Sequence, residues 1–177
     1  MAESVQSLDP KARLDADVAI CSAVLAMSEY DACEHVLSYV PLSDEVDVVP
    51  IGTAAIEAGK ALYLPVTLPR RDLEYRRWRL GDVLVRGAQG VLEPMTGDPL
   101  PMARALILVP GRGFAIDGRR LGRGGGYYDR ALSWLSRIGT TVGVAYQCQV
   151  VPALPCGPGD EKVHRIVTEL ARKPDFR

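Results

Sequence analysis

Short apolar runs alternate with segments of helical character along this chain, and this alternation constrains the fold more than any other feature. The most apolar run is ALILVP at 105–110, which predicts a fully buried strand. We predict further strands at 35–40, 61–65, 73–78, 141–146 and 164–169, and helices at 9–28, 47–58 and 127–137. Strands that alternate with helices indicate an α/β protein whose mostly parallel sheet is covered on both faces. Ligands of such sheets bind beyond the carboxyl ends of the strands.

The sequence also predicts where the helices begin and end, and which side chains they bury. Asp9-Pro10 is a helix start, and Gly59 is a stop signal after the second helix. Helical spacing predicts the inward-facing residues: Leu14, Val18, Cys21 and Leu25 in the first helix, Ile51, Ala55 and Ala58 in the second, and Leu132 and Leu135 in the third. The alternating segment LEYRRW at 73–78 predicts an antiparallel or edge strand.

Length and composition exclude several classes of protein. A chain of 177 residues is most simply one domain, which we expect to span 1–177. Its net charge of −1 argues against a general nucleic-acid binder. No apolar stretch reaches the length of a membrane span, and the start MAESVQSLDP lacks the pattern of a signal peptide. We therefore expect a cytoplasmic protein, acting as a monomer without nucleic-acid or membrane partners.

The cysteines do not suggest a metal site. Cys21, Cys33, Cys148 and Cys156 form no C-x-x-C pair, and the chain has only 2 histidines. A structural zinc site is therefore not expected. We expect the cysteines to be reduced and mostly structural, as is usual in the cytosol.

A glycine-rich segment follows the buried strand at 105–110. Of the 17 glycines, 7 lie between Gly111 and Gly126, and the run GRGGG at 122–126 leads into the third helix. Free N–H groups and the helix dipole favour an anion at such a helix start. Nearby arginines add fixed positive charge that suits phosphate: Arg119, Arg120, Arg123 and Arg130. The segment predicts a phosphate-binding loop, although a flexible turn with solvated arginines is an alternative.

This loop matches neither of the common nucleotide-binding patterns. No Lys follows the glycines, as Walker A requires, and Tyr127 stands where the Rossmann fingerprint needs its last glycine. Asp129 lies in the first turn of the following helix, where it complements the dipole or holds Mg²⁺ against phosphate oxygens. Tyr127 and Tyr128 are either core aromatics or ligand contacts.

The string RLGRGGGYYDR at 120–130 closely resembles the signature of the 5-formyltetrahydrofolate cyclo-ligase family, also called methenyltetrahydrofolate synthetase. Further segments resemble the family in the same order over residues 7–169: SDEVD (43–47), GKALYLP (59–65), GVLEP (90–94), VPGRGFAIDGRRLG (109–122), VGVAYQCQVVPALP (142–155) and IVTE (166–169). The resemblance implies a three-layer α/β/α sandwich related to sugar-phosphate isomerases. It also implies conversion of 5-formyltetrahydrofolate to 5,10-methenyltetrahydrofolate with ATP and Mg²⁺.

The implied chemistry is a phosphoryl transfer followed by ring closure. The formyl oxygen attacks the γ-phosphorus of ATP, and the 10-nitrogen then attacks the activated carbon as phosphate leaves. Phosphoryl transfer needs mainly positioning and charge neutralisation. A glycine loop, arginines and one metal ion can supply both.

The resemblance also implies a role for individual residues. Nucleotide phosphates would be held by the glycine loop and its neighbours, namely Arg120, Gly122, Arg123, Gly124, Gly125, Gly126, Tyr127 and Tyr128. Arg123 and Tyr127 would be catalytic and would face both phosphate and folate. Val40 and Glu45 would line the folate pocket, and Asp129 and Asp160 would bind Mg²⁺. Val40 as a strand core residue and Glu45 as a helix-start carboxylate are the alternatives from the residues alone.

One departure from the family pattern lies at the N-terminus. Members usually begin with a helix whose Lys and Arg reach the ATP phosphates, whereas Leu8-Asp9-Pro10 aligns with a turn that follows this helix. ATP binding is therefore expected to be weak. A degenerate member that binds folate or nucleotide without turnover is the main alternative, and a sugar-phosphate isomerase-like enzyme is a third.

Overall fold

A computed structural model describes residues 5–88, 90–101, 103–155 and 161–171. The helices are α1 (Pro10–Leu25), α2 (Ser28–Ala32), α3 (Val49–Glu57) and α4 (Tyr127–Ile138). The strands are β1 (His35–Leu37), β2 (Ala61–Thr67), β3 (Leu73–Trp78), β4 (Leu84–Arg86), β5 (Leu92–Pro94), β6 (Ala105–Val109), β7 (Gly113–Ala115), β8 (Arg120–Leu121), β9 (Gly139–Val144), β10 (Val150–Val151) and β11 (Arg165–Val167). Short 3₁₀ turns occupy Pro69–Arg71 and Gln147–Gln149. None of the helices in the described ranges is long and apolar enough to cross a membrane.

The central sheet has six strands in the order β11-β9-β6-β1-β2-β3. All neighbours are parallel except β3, which runs antiparallel to β2 at the edge. The predicted mostly parallel sheet is confirmed, and so is the antiparallel edge strand at 73–78. Strand β6 lies inside the sheet and is buried along its whole length, as its apolar sequence predicts.

Helices cover both faces of the sheet, which confirms the three-layer α/β/α architecture. On one face α1, α2 and α3 pack over Val36, Leu106 and Val142. On the other face Leu132 and Leu135 of α4 pack over Ile107 and Val109. Both leucines are fully buried, as predicted.

The prediction for the inward face of α1 is wrong in part. Leu14 and Val18 are 63% and 60% exposed, whereas Ala16, Ile20 and Val24 are buried. Apolar residues occur all around this helix, so two stripes compete for the core. Tertiary packing selects the stripe that contains Ala16, Ile20 and Val24. Cys21 is buried as predicted, and its thiol donates to the carbonyl oxygen of Asp47 at 3.2 Å.

Smaller corrections concern α3 and the cysteines. Ile51 and Ala55 are buried as predicted, but Ala58 is exposed because α3 ends at Glu57 and Ala58 is its C-cap. Gly59 follows with a left-handed φ of +76°, in keeping with a stop signal. Cys21, Cys33 and Cys148 are free thiols, as expected, and Cys156 lies outside the described residues.

Two small sheets flank the main one and were not predicted. Strands β4 and β5 form an antiparallel pair, and β7 pairs with both β8 and β10. The glycine-rich segment is therefore not one continuous loop. Its first half forms the β7–β8 hairpin, which presents Arg120 on a strand and leads directly into the glycine run.

Candidate active site

A cavity of about 350 Å³ opens at the carboxyl ends of β1, β2 and β6, where the fold predicts a ligand site. Tyr39 and Val40 follow β1, Pro65 and Thr67 belong to the end of β2, and Pro110 follows β6. The remaining lining residues are Leu42, Glu45, Leu73, Val91, Glu93, Gly111, Arg112, Arg120, Gly122, Arg123, Gly124, Gly125, Gly126, Tyr127 and Tyr128. The wall thus includes every predicted nucleotide- and folate-binding residue.

The glycine run forms the entrance to α4. Gly126 is the N-cap residue in a left-handed conformation, with φ of +71°, and no side chain from the described parts of the chain caps the helix there. Gly122 lies so close to Arg120 that a Cβ would come within 2.6 Å of the guanidinium Nη1. Glycine at these two positions lets the backbone turn tightly beside a buried arginine, which leaves the start of the helix open to the cavity.

Arg120 and Asp129 form an ion pair with each other. The Nη2 atom of Arg120 donates to Oδ1 of Asp129 at 2.6 Å, and the guanidinium lies over the Tyr128 ring at 5.4 Å. The Arg120 side chain is only 5% exposed, and its Nε is buried without a partner among the described residues. The two side chains that the resemblance assigns separately to phosphate and to metal are therefore paired with each other, with Arg120 buried and Asp129 partly exposed. Asp129 lies behind Arg120 and is not part of the cavity wall.

Arg123 connects the glycine loop to the segment after β1. Its guanidinium forms ion pairs with Asp44 and, at 3.6 Å, with Oε1 of Glu45. The Oε2 atom of Glu45 also accepts the backbone N–H of Leu42 at 3.0 Å. Burial raises the pKa of Glu45 above its ordinary value, and its hydrogen bond from Leu42 and the charge of Arg123 oppose that rise. Arg123, Glu45 and Val40 thus share one cavity, as the resemblance implies.

The other two arginines of the predicted basic cluster point elsewhere, which corrects that prediction. Arg130 donates to the carbonyl oxygen of Arg70 and lies 3.8 Å from Asp72. Arg119 pairs with Asp117 at 3.2 Å. Neither arginine lines the cavity.

Tyr127 and Tyr128 are both core residues and cavity residues. They pack against the apolar layer beneath α4 and also line the cavity. Burial raises the pKa of Tyr128 well above its ordinary value, so its hydroxyl stays protonated. Packing in the core and contact with a ligand, the two roles left open by the sequence, are therefore compatible for these tyrosines.

Several cavity residues were missed by sequence reasoning. Glu93 on β5 is a buried carboxylate, 7% exposed, that accepts the hydroxyl of Thr67 at 2.7 Å. Arg112 adds a third guanidinium to the wall. The sequence contains a sign of this role, since Glu93 stands between apolar residues in GVLEP. The strand that carries Glu93 is too short to predict.

The predicted metal site is only partly described. Asp160 lies outside the described residues. Within the described ranges no group of three or more His, Cys, Asp or Glu side chains is arranged to hold a metal ion. Asp129 is 36% exposed, which leaves part of this hard oxygen donor accessible.

The family model of the 5-formyltetrahydrofolate cyclo-ligase family matches residues 1–169. The chain belongs to this family. The resemblance read from RLGRGGGYYDR is thereby confirmed, together with the fold that it implied.

Individual relatives agree with this assignment. The chain is 34% identical over 136 residues to the 5-formyltetrahydrofolate cyclo-ligase of Escherichia coli (strain K12), covering 73% of this chain and 75% of that protein. It is 26% identical over 180 residues to the mouse enzyme of the same name, and this match covers 94% of this chain and 89% of the mouse protein.

Solved structures give the same result. The Aquifex aeolicus 5,10-methenyltetrahydrofolate synthetase superposes with a TM-score of 0.81 at 32% identity, covering 99% of this chain and 90% of that chain. A 5,10-methenyltetrahydrofolate synthetase from Mycoplasma pneumoniae superposes with a TM-score of 0.75 at 20% identity. The match covers 95% of this chain and 93% of that chain, and it shows a common fold.

Proposed function

We propose that this protein converts 5-formyltetrahydrofolate to 5,10-methenyltetrahydrofolate with ATP, yielding ADP and phosphate. One observation carries the proposal: the cavity has an anion-binding half and a half suited to a flat heterocycle. Arg120, Arg123 and the glycine run at the start of α4 form the first half. Val40, Leu42 and Glu45 belong to the second. Arg123 belongs to the first half and pairs with Glu45 of the second.

In the proposed reaction the formyl oxygen forms a bond to the γ-phosphorus, and the bond from that phosphorus to ADP breaks. The 10-nitrogen then attacks the formyl carbon, the carbon–oxygen bond breaks, and the leaving phosphate takes the proton of the 10-nitrogen. Arg123 and the open N–H groups of α4 hold the phosphates and balance their charge. Tyr127 lines the same part of the cavity and helps to orient the reacting groups.

We further propose Mg²⁺ as the metal, with Asp129 as a ligand and Asp160 as a second one. The carboxylate of Asp129 is partly exposed beside the cavity-lining Arg120, without lining the cavity itself, and Mg²⁺ commonly takes one or two carboxylates with substrate phosphates. When bound, the ion would neutralise phosphate charge. The Arg120 guanidinium holds this carboxylate in place by a hydrogen bond.

Substitution of Arg123 tests the proposal. Arg123→Ala should lower kcat and raise the KM for both substrates, because this side chain touches both halves of the cavity. The matched control is Arg130→Ala in α4, whose guanidinium contacts Arg70 and Asp72 outside the cavity. Equal activity of the two variants would contradict the role of Arg123.

Binding without turnover is the second candidate function. It is supported by the ion pairs that Arg120 and Arg123 form with carboxylates of the chain, since a ligand phosphate must compete with these carboxylates. Tight folate or nucleotide binding with no methenyl product would select this alternative. We also propose that the chain forms a single domain and acts as a cytoplasmic monomer. Gel filtration would test whether it is monomeric.

A further inference from the structure

Glu93 is a buried carboxylate in the cavity wall that the proposed mechanism does not use. Its side chain lies on β5, 7% exposed, where Thr67 Oγ1 donates to Oε1 at 2.7 Å. Gly87 lies against the same carboxyl group, so closely that a Cβ there would come within 2.1 Å of it. The carboxylate is therefore oriented by a hydroxyl and fits into a space that only glycine leaves open.

No cation balances this carboxylate among the residues that the structure describes. A buried charge with one hydrogen bond costs free energy unless a further donor reaches it. Glu45, the other glutamate of the cavity, is in a different state, because Arg123 contacts one of its oxygens and the N–H of Leu42 contacts the other. Of the two glutamates, Glu93 has the greater capacity to accept hydrogen bonds from a ligand.

We infer that Glu93 is a specificity residue that accepts the paired N–H donors of the folate's aminopyrimidinone ring. This inference rests on the proposed function and assigns the ring's donor edge to Glu93 rather than to Glu45. The ring presents a ring N–H and an adjacent amino group, and a carboxylate can accept two such parallel donors at once. Leu73 and Val91 also line the cavity and provide apolar surface for the ring.

The test measures whether the affinity for the 2-amino group of the ring depends on Glu93. Binding of 5-formyltetrahydrofolate is compared with binding of an analogue in which hydrogen replaces the 2-amino group, using wild-type protein and the Glu93→Gln variant. Gln keeps the size of the side chain and an acceptor for Thr67, but it replaces the second oxygen with an NH₂ donor. The parent folate should bind the variant about tenfold to a hundredfold more weakly. The variant should also bind both ligands about equally, whereas the wild type prefers the parent.

Two further variants complete the comparison. Glu74→Gln on β3 is the matched control, since Glu74 pairs with Arg76 at 2.7 Å and does not line the cavity. It should retain wild-type affinity and preference. Thr67→Val removes only the orienting hydroxyl and should weaken folate binding severalfold while ATP binding is unchanged, which supplies a test if Glu93→Gln does not fold.

The inference is overturned if Glu93→Gln keeps the wild-type preference for the amino group. If that variant does not fold, unchanged folate affinity in Thr67→Val overturns it. Failure of the proposed function has a different result, in which the wild-type protein itself neither binds 5-formyltetrahydrofolate nor forms product from it.

Discussion

At the scale of single residues, the site depends on arginines that are held by carboxylates of the chain itself. Arg120 is almost completely buried, and Asp129 is its anionic partner. Arg123 is more exposed and is shared between Asp44 and Glu45. Because an arginine side chain keeps its charge, each of these carboxylates competes with phosphate for its arginine, and Asp129 also neutralises a buried charge.

Asp129→Asn should lower the free energy of unfolding by about 1–3 kcal/mol, because it leaves the buried Arg120 without a counter-charge. The variant should also lose turnover if Asp129 binds Mg²⁺ as proposed. Urea unfolding measures the first effect, and a titration of activity with Mg²⁺ measures the second.

The control for this change is Asp72→Asn. Asp72 is 55% exposed and lies 3.8 Å from Arg130, so its loss should change stability by less than about 0.5 kcal/mol. Equal stability of the two variants would show that the Arg120–Asp129 pair contributes nothing. A normal Mg²⁺ response of Asp129→Asn would exclude the metal role.

Asp44→Asn should tighten nucleotide binding severalfold. The substitution removes one of the carboxylates that compete with phosphate for Arg123, while Glu45 still orients the guanidinium. A nucleotide titration checks this, with Asp98→Asn as control because Asp98 pairs with the exposed Arg79 instead. Weaker nucleotide binding by Asp44→Asn would mean that Asp44 positions Arg123 rather than competing for it.

At the scale of secondary-structure elements, α1 holds the segment that carries Asp44 and Glu45. Arg13 donates to the hydroxyl of Tyr146 at 2.9 Å and to the carbonyl oxygen of Glu45 at 3.0 Å. The Tyr146 hydroxyl donates to Asp17 at 2.7 Å. These contacts join α1, the end of β9 and the folate half of the cavity, so the position of Glu45 depends on α1.

Tyr146→Phe should destabilise the protein by about 1–3 kcal/mol, since it removes a fully buried hydroxyl that bonds both Arg13 and Asp17. The KM for folate should rise more than the KM for ATP. Tyr39→Phe is the control for stability, because among the described residues its hydroxyl makes one long bond of 3.4 Å, to the Val46 carbonyl oxygen. Equal effects on both KM values would contradict a local role for this network.

Most of the main strands could be predicted because they are short apolar runs, and β3 could be predicted because its sequence alternates. The inward face of α1 could not, because Leu14 and Ala16 belong to competing apolar stripes and tertiary packing decides between them. The β7–β8 hairpin and β5 are too short to give a periodic signal. In the site, the loop chemistry was visible in the sequence, but the pairing of Arg120 with Asp129 and the burial of Glu93 arise only from the fold.

At the scale of the whole molecule, parallel topology brings distant segments to one edge of the sheet. β1, β2 and β6 are neighbours, so the segments that follow them meet around one cavity. Packing around this edge of the sheet also buries acidic side chains, including Glu45 in the cavity wall and Asp17 on α1. Burial is the main cause that raises the pKa of both Asp17 and Glu45.

Stability should therefore respond to pH through Glu45 with a definite sign. Its pKa is higher in the folded than in the unfolded protein, so the folded state binds the proton more readily and this contribution falls as pH rises through the window between the two values. The unfolding free energy of wild type minus that of Glu45→Gln should decrease as pH rises from the ordinary value of 4.5. Urea unfolding of both proteins over this range checks it, and a difference that increases with pH would contradict the burial effect.

The central claim is that one cavity binds ATP and 5-formyltetrahydrofolate and couples them chemically. The most direct measurement is the absorbance of 5,10-methenyltetrahydrofolate formed by the purified protein with 5-formyltetrahydrofolate and Mg²⁺, with and without ATP. We predict product only when ATP is present, in amounts equal to the ADP released. No product at high enzyme concentration and saturating ATP would contradict the claim.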